Sequence, residues 1–209
     1  MYHGDMAPDL LAGLREALER TTPRLILLVC GATVAAYGAA YATNAVLAPI
    51  ELEGAVWFGA ALIVLIAGIA GAYQAAVALA TARSLPPPGP TQDTFVHGAA
   101  GAVLLAIAGA TVLLLDAILG PFASIPLMVV WAWLLPHALL HVASTSDITP
   151  LGVLGALGRT VRAPLATLPA ALIAIVLVAV GIATVIGWLY TLPLASVILA
   201  VTHRDEIAA

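Results

Sequence analysis

Nothing constrains this chain more than its long apolar runs, over residues 25–48, 55–80, 99–119, 122–143 and 165–203, which between them hold one acid, Asp116, and no arginine or lysine. A bilayer core about 30 Å thick takes roughly 20 apolar residues per helix, so the first four runs each have the length of one span. The fifth is too long: at about 1.5 Å per residue it would reach nearly 60 Å, and it is expected to fold back near Gly181 to Gly187. The expected fold is therefore an all-α, polytopic membrane bundle of six transmembrane helices, over about 25–48, 55–80, 99–119, 122–143, 165–184 and 187–203. Composition agrees, since 63% hydrophobic and 9% charged residues do not describe a soluble globule.

Orientation is read from arginine, because the chain has no lysine and its arginines stand at 15, 20, 24, 83, 159, 162 and 204. With six spans all of them fall on one side. The positive-inside rule then makes 1–24 a cytoplasmic N-terminal segment, 25–203 the membrane domain and 204–209 a cytoplasmic tail, in a multi-pass protein of the plasma membrane. Glu51 and Glu53 fall in the first external loop. No signal peptide is expected from MYHGDMAPDL, which lacks a basic stretch leading into a short apolar core. The Ala-, Val- and Gly-rich, lysine-free usage points to a GC-rich prokaryote.

Two segments outside the spans are amphipathic. PDLLAGLREALER sets Leu10, Leu11, Leu14 and Leu18 against Arg15, Glu16, Glu19 and Arg20. TPLGVLGALGRTVRAP sets Leu151, Leu154, Leu157 and Val161 on one face, with Thr149 as the expected N-cap and Pro150 in the first turn. Both read as helices lying on the cytoplasmic membrane surface. RSLPPPGPTQDTFVHG, residues 83–98, is a proline-rich spacer.

Candidate chemistry is sparse. His137 and His141 stand four apart on one helix, the spacing of two ligands for a single metal, but a zinc site takes three or four protein ligands and bis-histidine haem takes ligands from facing helices. With Gln74 and His203 they form a candidate inner-side polar cluster, read as interhelical hydrogen-bonders or interfacial anchors, with no metal and no cofactor expected. Asp116 is the one acid within a span, hence a functional candidate by default. Tyr41, Asn44 and Tyr190 are expected near it in depth, as a candidate intramembrane polar site. Gly68 with Ala72, Ala67 with Gly71, and Ala106 with Ala110 are small-residue pairs that let helices approach closely. Cys30 lies alone within the first span, and Walker, HExxH and GxSxG motifs are lacking. Without a basic cluster, nucleic acid is not an expected partner.

From about Pro126 onward, LLPHALL, LGALGRTVRAP and VAVGIATVIGWLYTLPLASVILAVTHR resemble a group of prokaryotic and archaeal six-helix membrane proteins, similar to the membrane domain attached to some glycerophosphodiester phosphodiesterases. Arg159, Gly187, Pro193 and Arg204 carry the likeness. It implies the six-helix fold but no catalytic residue, and the chain has no phosphodiesterase domain. The expected function is a non-enzymatic organising or regulatory membrane component, partnered by the lipid bilayer and by another membrane protein or a second copy. The alternative is a small-solute or lipid permease using Asp116 and the proline-broken helices.

Overall fold

The computed structural model describes residues 6–50, 53–89, 92–145, 148–162, 164–184 and 187–202. Among them every regular element is a helix: α1 (Met6–Arg20), α2 (Pro23–Leu47), α3 (Glu53–Ala82), α4 (Gln92–Leu119), α5 (Pro121–Ser144), α6 (Pro150–Arg162), α7 (Pro164–Ala183) and α8 (Trp188–Thr202). Four of them, α2 to α5, are long and apolar enough to cross a membrane. The fifth apolar run breaks into α7 and the shorter α8 between Ala183 and Trp188.

Local chemistry sets the helix ends. Thr22 caps α2, its Oγ1 accepting from Leu25 N at 3.3 Å, and Pro23 fills the first turn, where no N–H is needed. Gly120 takes φ 78°, a left-handed conformation that lets α4 stop and α5 start within one residue. Helix α3 ends in a left-handed turn at Ser84 (φ 57°), closed by Leu85 N donating to Ala80 O at 2.8 Å. Thr149 Oγ1 accepts from Gly152 N at 3.1 Å, so the expected cap of α6 is formed. Thr149→Ala is expected to lower stability by about 1 kcal/mol, measured as a shift in thermal midpoint of the detergent-solubilised protein.

Helix α3 is the hub, packing on α2, α4, α5 and α8. Its approach to α4 brings the two backbones close together. A Cβ added to Gly68 would lie 2.6 Å from Gly98 O and 2.7 Å from Ala102 Cα, and one added to Gly98 would lie 2.8 Å from Ile69 Cα. Gly68 and Ala72 are buried in this contact as their spacing suggests, whereas Ala67, Ala106 and Ala110 are exposed.

The buried core sits at one end of the bundle, the basal end, where α2 and α4 begin and α3, α5 and α8 finish. Leu25 and Val29 of α2, Val77 and Ala78 of α3, and Val197 and Ile198 of α8 form its main cluster, and Leu104, Ala138, Val142 and Ala156 join α4, α5 and α6 in a second. At the distal end, side chains such as Tyr37, Tyr41, Trp57, Leu113 and Phe122 are exposed. The α7–α8 pair explains the asymmetry. The Cys30 thiol donates to Leu189 O at 3.1 Å, so α8 begins level with a point only about 10 Å along α2, which continues about 25 Å further. The pair covers the basal part of the bundle and leaves the distal part bare.

The faces on which the amphipathic helices pack overlap only in part with the ones their leucines mark. In α1 the buried residues are Gly13 and Ala17, on α8, while Leu11 and Leu18 are exposed. In α6, Val153, Ala156 and Thr160 are buried, and Leu151 is 81% exposed. Small side chains allow close helix approach, and of the leucines Leu14 and Leu157 pack against the core while Leu11, Leu18, Leu151 and Leu154 are exposed.

Candidate functional site

Asp116 lies one turn before the α4–α5 corner, at the distal end, and is exposed. Its Oδ1 accepts from the buried Ser124 Oγ of α5 at 3.0 Å, while its backbone carbonyl accepts from Gly120 N at 2.8 Å. The carboxylate therefore pins a corner. Tyr41 and Asn44 occupy the last third of α2, also exposed, and α3 packs between α2 and α4. Tyr190 is at the start of α8, level with the first third of α2, roughly 15 Å or more below Tyr41 along that helix. Among the described residues no hydrogen bond joins Asp116 to Tyr41, Asn44 or Tyr190. Sequence depth alone groups them because it assumes that α8 starts at the far surface.

The inner-side candidates are closer in level but split between two partnerships. Gln74 Nε2 donates to Thr33 Oγ1 at 2.7 Å, tying α3 to α2. His137 is buried, and its Nδ1–H donates to Trp133 O at 2.8 Å on its own helix, which fixes the ring's orientation and tautomer. His141, one turn on, lies towards Arg159 of α6. His203 lies outside the described residues. Among the described residues no three His, Cys, Asp or Glu side chains converge as metal ligands would.

Two hollows lie near this end. One, of about 380 Å³, opens between α3, α5, α7 and α8, because Ala78, Ala171, Ala174 and Ala195 are too small to fill the space their helices enclose. Its few polar walls are engaged: Gln74 with Thr33, and Ser196 Oγ with Leu192 O at 3.0 Å. Such a space suits an apolar chain and brings no acid, base or nucleophile to bear on it. Pro136 lines it and Asp116 does not.

The other hollow, of about 330 Å³, is amphiphilic and lies at the elbow between α1 and α2 against the end of α3. Arg20 spans that elbow, donating to Thr81 O at 2.8 Å and Ser84 Oγ at 2.7 Å and pairing with Glu16 at 2.8 Å. Sequence reading missed this role because the partner is a backbone carbonyl 61 positions away, that of Thr81, which also accepts from Ser84 N at 3.1 Å.

In comparisons with known proteins no family model matches this chain, and neither a curated protein nor a solved structure matches it.

Proposed function

We propose that this is a non-enzymatic membrane component that organises or regulates other membrane proteins, with the distal halves of α2 to α5 as its lateral contact surface. One observation carries the reading: the distal end bears large exposed apolar and aromatic side chains, Tyr37, Trp57 and Phe58 among them, on the parts of α2 and α3 beyond the start of α8. Aromatic side chains in a packing surface bury large areas and favour specific contact over mere solvation by lipid. In this reading six helices enter the membrane, with α7 and α8 as a hairpin that returns to the side it left. That parity keeps every arginine on one face, so both termini are cytoplasmic in a prokaryotic plasma membrane. The resemblance to the membrane domains of glycerophosphodiester phosphodiesterases is compatible with this role and assigns no residue to it.

The test is native mass spectrometry of the protein extracted gently from its own membrane, followed by Trp57→Ala. A bound polypeptide, or a second copy, that is lost in at least about tenfold measure from Trp57→Ala supports the reading, given the size of aromatic anchors in interfaces. A monomer carrying only lipid overturns it.

A second reading, a permease for an apolar solute or lipid, is favoured by the hollow beside Pro136. It predicts uptake or export that falls when Ala174→Phe fills that space. If the path also used Asp116, Asp116→Asn would abolish transport. As an element of the corner alone, the same change keeps the acceptor for Ser124 and leaves transport and thermal midpoint nearly unchanged.

A further inference from the structure

We propose that the groove at the α1–α2 elbow binds the headgroup of an anionic phospholipid. Its walls carry two chemistries in series. Arg24, Thr22 and Ser84 form the polar part, and the half-buried Leu28 with the exposed Leu85 forms the apolar part, over a floor of the buried Leu25 and Val77. The two arginines of the groove differ in state. Arg20 is satisfied by Glu16, Thr81 and Ser84, so its charge is balanced within the protein. Arg24 lines the same groove, is exposed, and has no hydrogen bond or ion pair among the described residues.

An unbalanced guanidinium beside two hydroxyl groups matches a phosphodiester, which takes planar, paired N–H donors and further hydroxyl donors. The start of α2 adds to this. Pro23 has no N–H, Leu25 N donates to Thr22 Oγ1 and Ile26 N to Thr22 O, which leaves the Arg24 N–H as the first-turn donor facing no acceptor. The apolar part decides between a lipid and a free phosphate. Leu28 lies about one turn beyond Arg24 on an apolar helix long enough to cross a membrane, so a ligand held at Arg24 has the accessible side of Leu28 for its hydrocarbon chain running into the bilayer. A soluble phosphate would leave that wall unused. Basic pockets between membrane helices at the headgroup level are a recurring site for anionic lipids.

The experiment uses the full chain in a neutral detergent, titrated with phosphatidylglycerol or phosphatidylcholine and read by native mass spectrometry. Expected is one phosphatidylglycerol bound at least about fivefold more tightly than phosphatidylcholine, the advantage vanishing in Arg24→Gln and persisting in Arg15→Gln, which removes an equal charge from α1 outside the groove. Leu28→Trp, which keeps every polar group and obstructs the apolar wall, is expected to weaken phosphatidylglycerol by a similar factor. It carries the test if Arg24→Gln yields no folded protein. Equal binding of the two lipids overturns the proposal. Equal losses in Arg15→Gln and Arg24→Gln would show a diffuse surface charge and overturn it as well. Displacement of phosphatidylglycerol by excess inorganic phosphate would show a soluble-anion site and overturn the lipid assignment.

Discussion

Gly98→Leu is expected to cost at least about 3 kcal/mol and to turn a monodisperse detergent preparation into a poorly folded or aggregated one, with Gly68→Leu close behind. Extra methylene groups in a packed interior cost about 1–3 kcal/mol when neighbouring side chains can move aside. Here the obstacle is backbone. The first carbon added at Gly98 meets Ile69 Cα at 2.8 Å, and the first added at Gly68 meets Gly98 O at 2.6 Å. Relief requires α3 and α4 to separate, which would also disturb α3 as the common support of α2, α5 and α8. The measurement is thermal midpoint and size-exclusion profile of the detergent-solubilised protein. Gly109→Ala, on α4 with nothing within 4 Å of the added carbon, is the control and should gain up to about 1 kcal/mol from helix propensity. A Gly98→Leu protein with the wild-type midpoint would mean that α3 and α4 do not approach at this point.

How much of this was legible in the sequence depends on which interaction each residue pattern reports. Apolar length reports helices directly: α2 to α5 follow the runs that encode them, and the last run breaks where its length requires. Thr149 reports a cap because its partner is three residues away. Leucine spacing in α1 and α6 correctly marks amphipathic helices but only part of the face that packs, Leu14 and Leu157. Leucine is equally at home against protein and at a bilayer interface, so Leu11 and Leu151 face outward while Ala17 and Ala156 are buried. Small residues are similarly ambiguous. Gly68 is a contact, and Ala106 with the same kind of spacing is not, while the contact's other half, Gly98 and Gly101 in HGAAGA, was a readable signal left unused.

The candidate site was less legible because depth along a helix is only as good as the assumption about where the helix starts. Tyr190 joined Asp116 and Tyr41 on the premise that α8 begins at the far surface. The Cys30 to Leu189 hydrogen bond puts that start near the basal third of α2 instead. Asp116 turned to Ser124 for a similar reason: Gly120 and Pro121 make so tight a corner that the nearest donor is eight residues along the chain.

Arg20→Ala is expected to have the second largest effect, about 2–4 kcal/mol, and a specific one: release of α1 from the bundle. The guanidinium joins three groups that no other described side chain joins. It meets the negative end of α3 by donating to Thr81 O, holds the left-handed turn at Ser84 by donating to its Oγ, and pairs with Glu16 one turn back on α1. Hydrogen bonds from a charged donor contribute about 1.5–3 kcal/mol each when formed in a partly buried setting, and the pair with Glu16 adds little because both side chains are part-exposed. Truncation removes the charged donor from the Thr81 carbonyl, which keeps only Ser84 N at 3.1 Å, and leaves Ser84 without the contact that offsets its left-handed conformation. Arg20→Lys is expected to recover less than half, since a single ammonium on a flexible stem does not reproduce a planar fork shared among three acceptors. The readout is limited proteolysis in detergent, where cleavage within residues 6–20 should accelerate at least about tenfold in Arg20→Ala while the apolar helices stay protected. Gly13 supplies the counter-test, because a carbon added to it would lie 3.0 Å from Thr202 Cγ2, about two turns nearer the start of α1 than Arg20. Gly13→Leu should lift α1 off α8 and give the same cleavage pattern with Arg20 intact. If Gly13→Leu alone exposes α1 and Arg20→Ala does not, packing on α8 and not the arginine fork holds this helix.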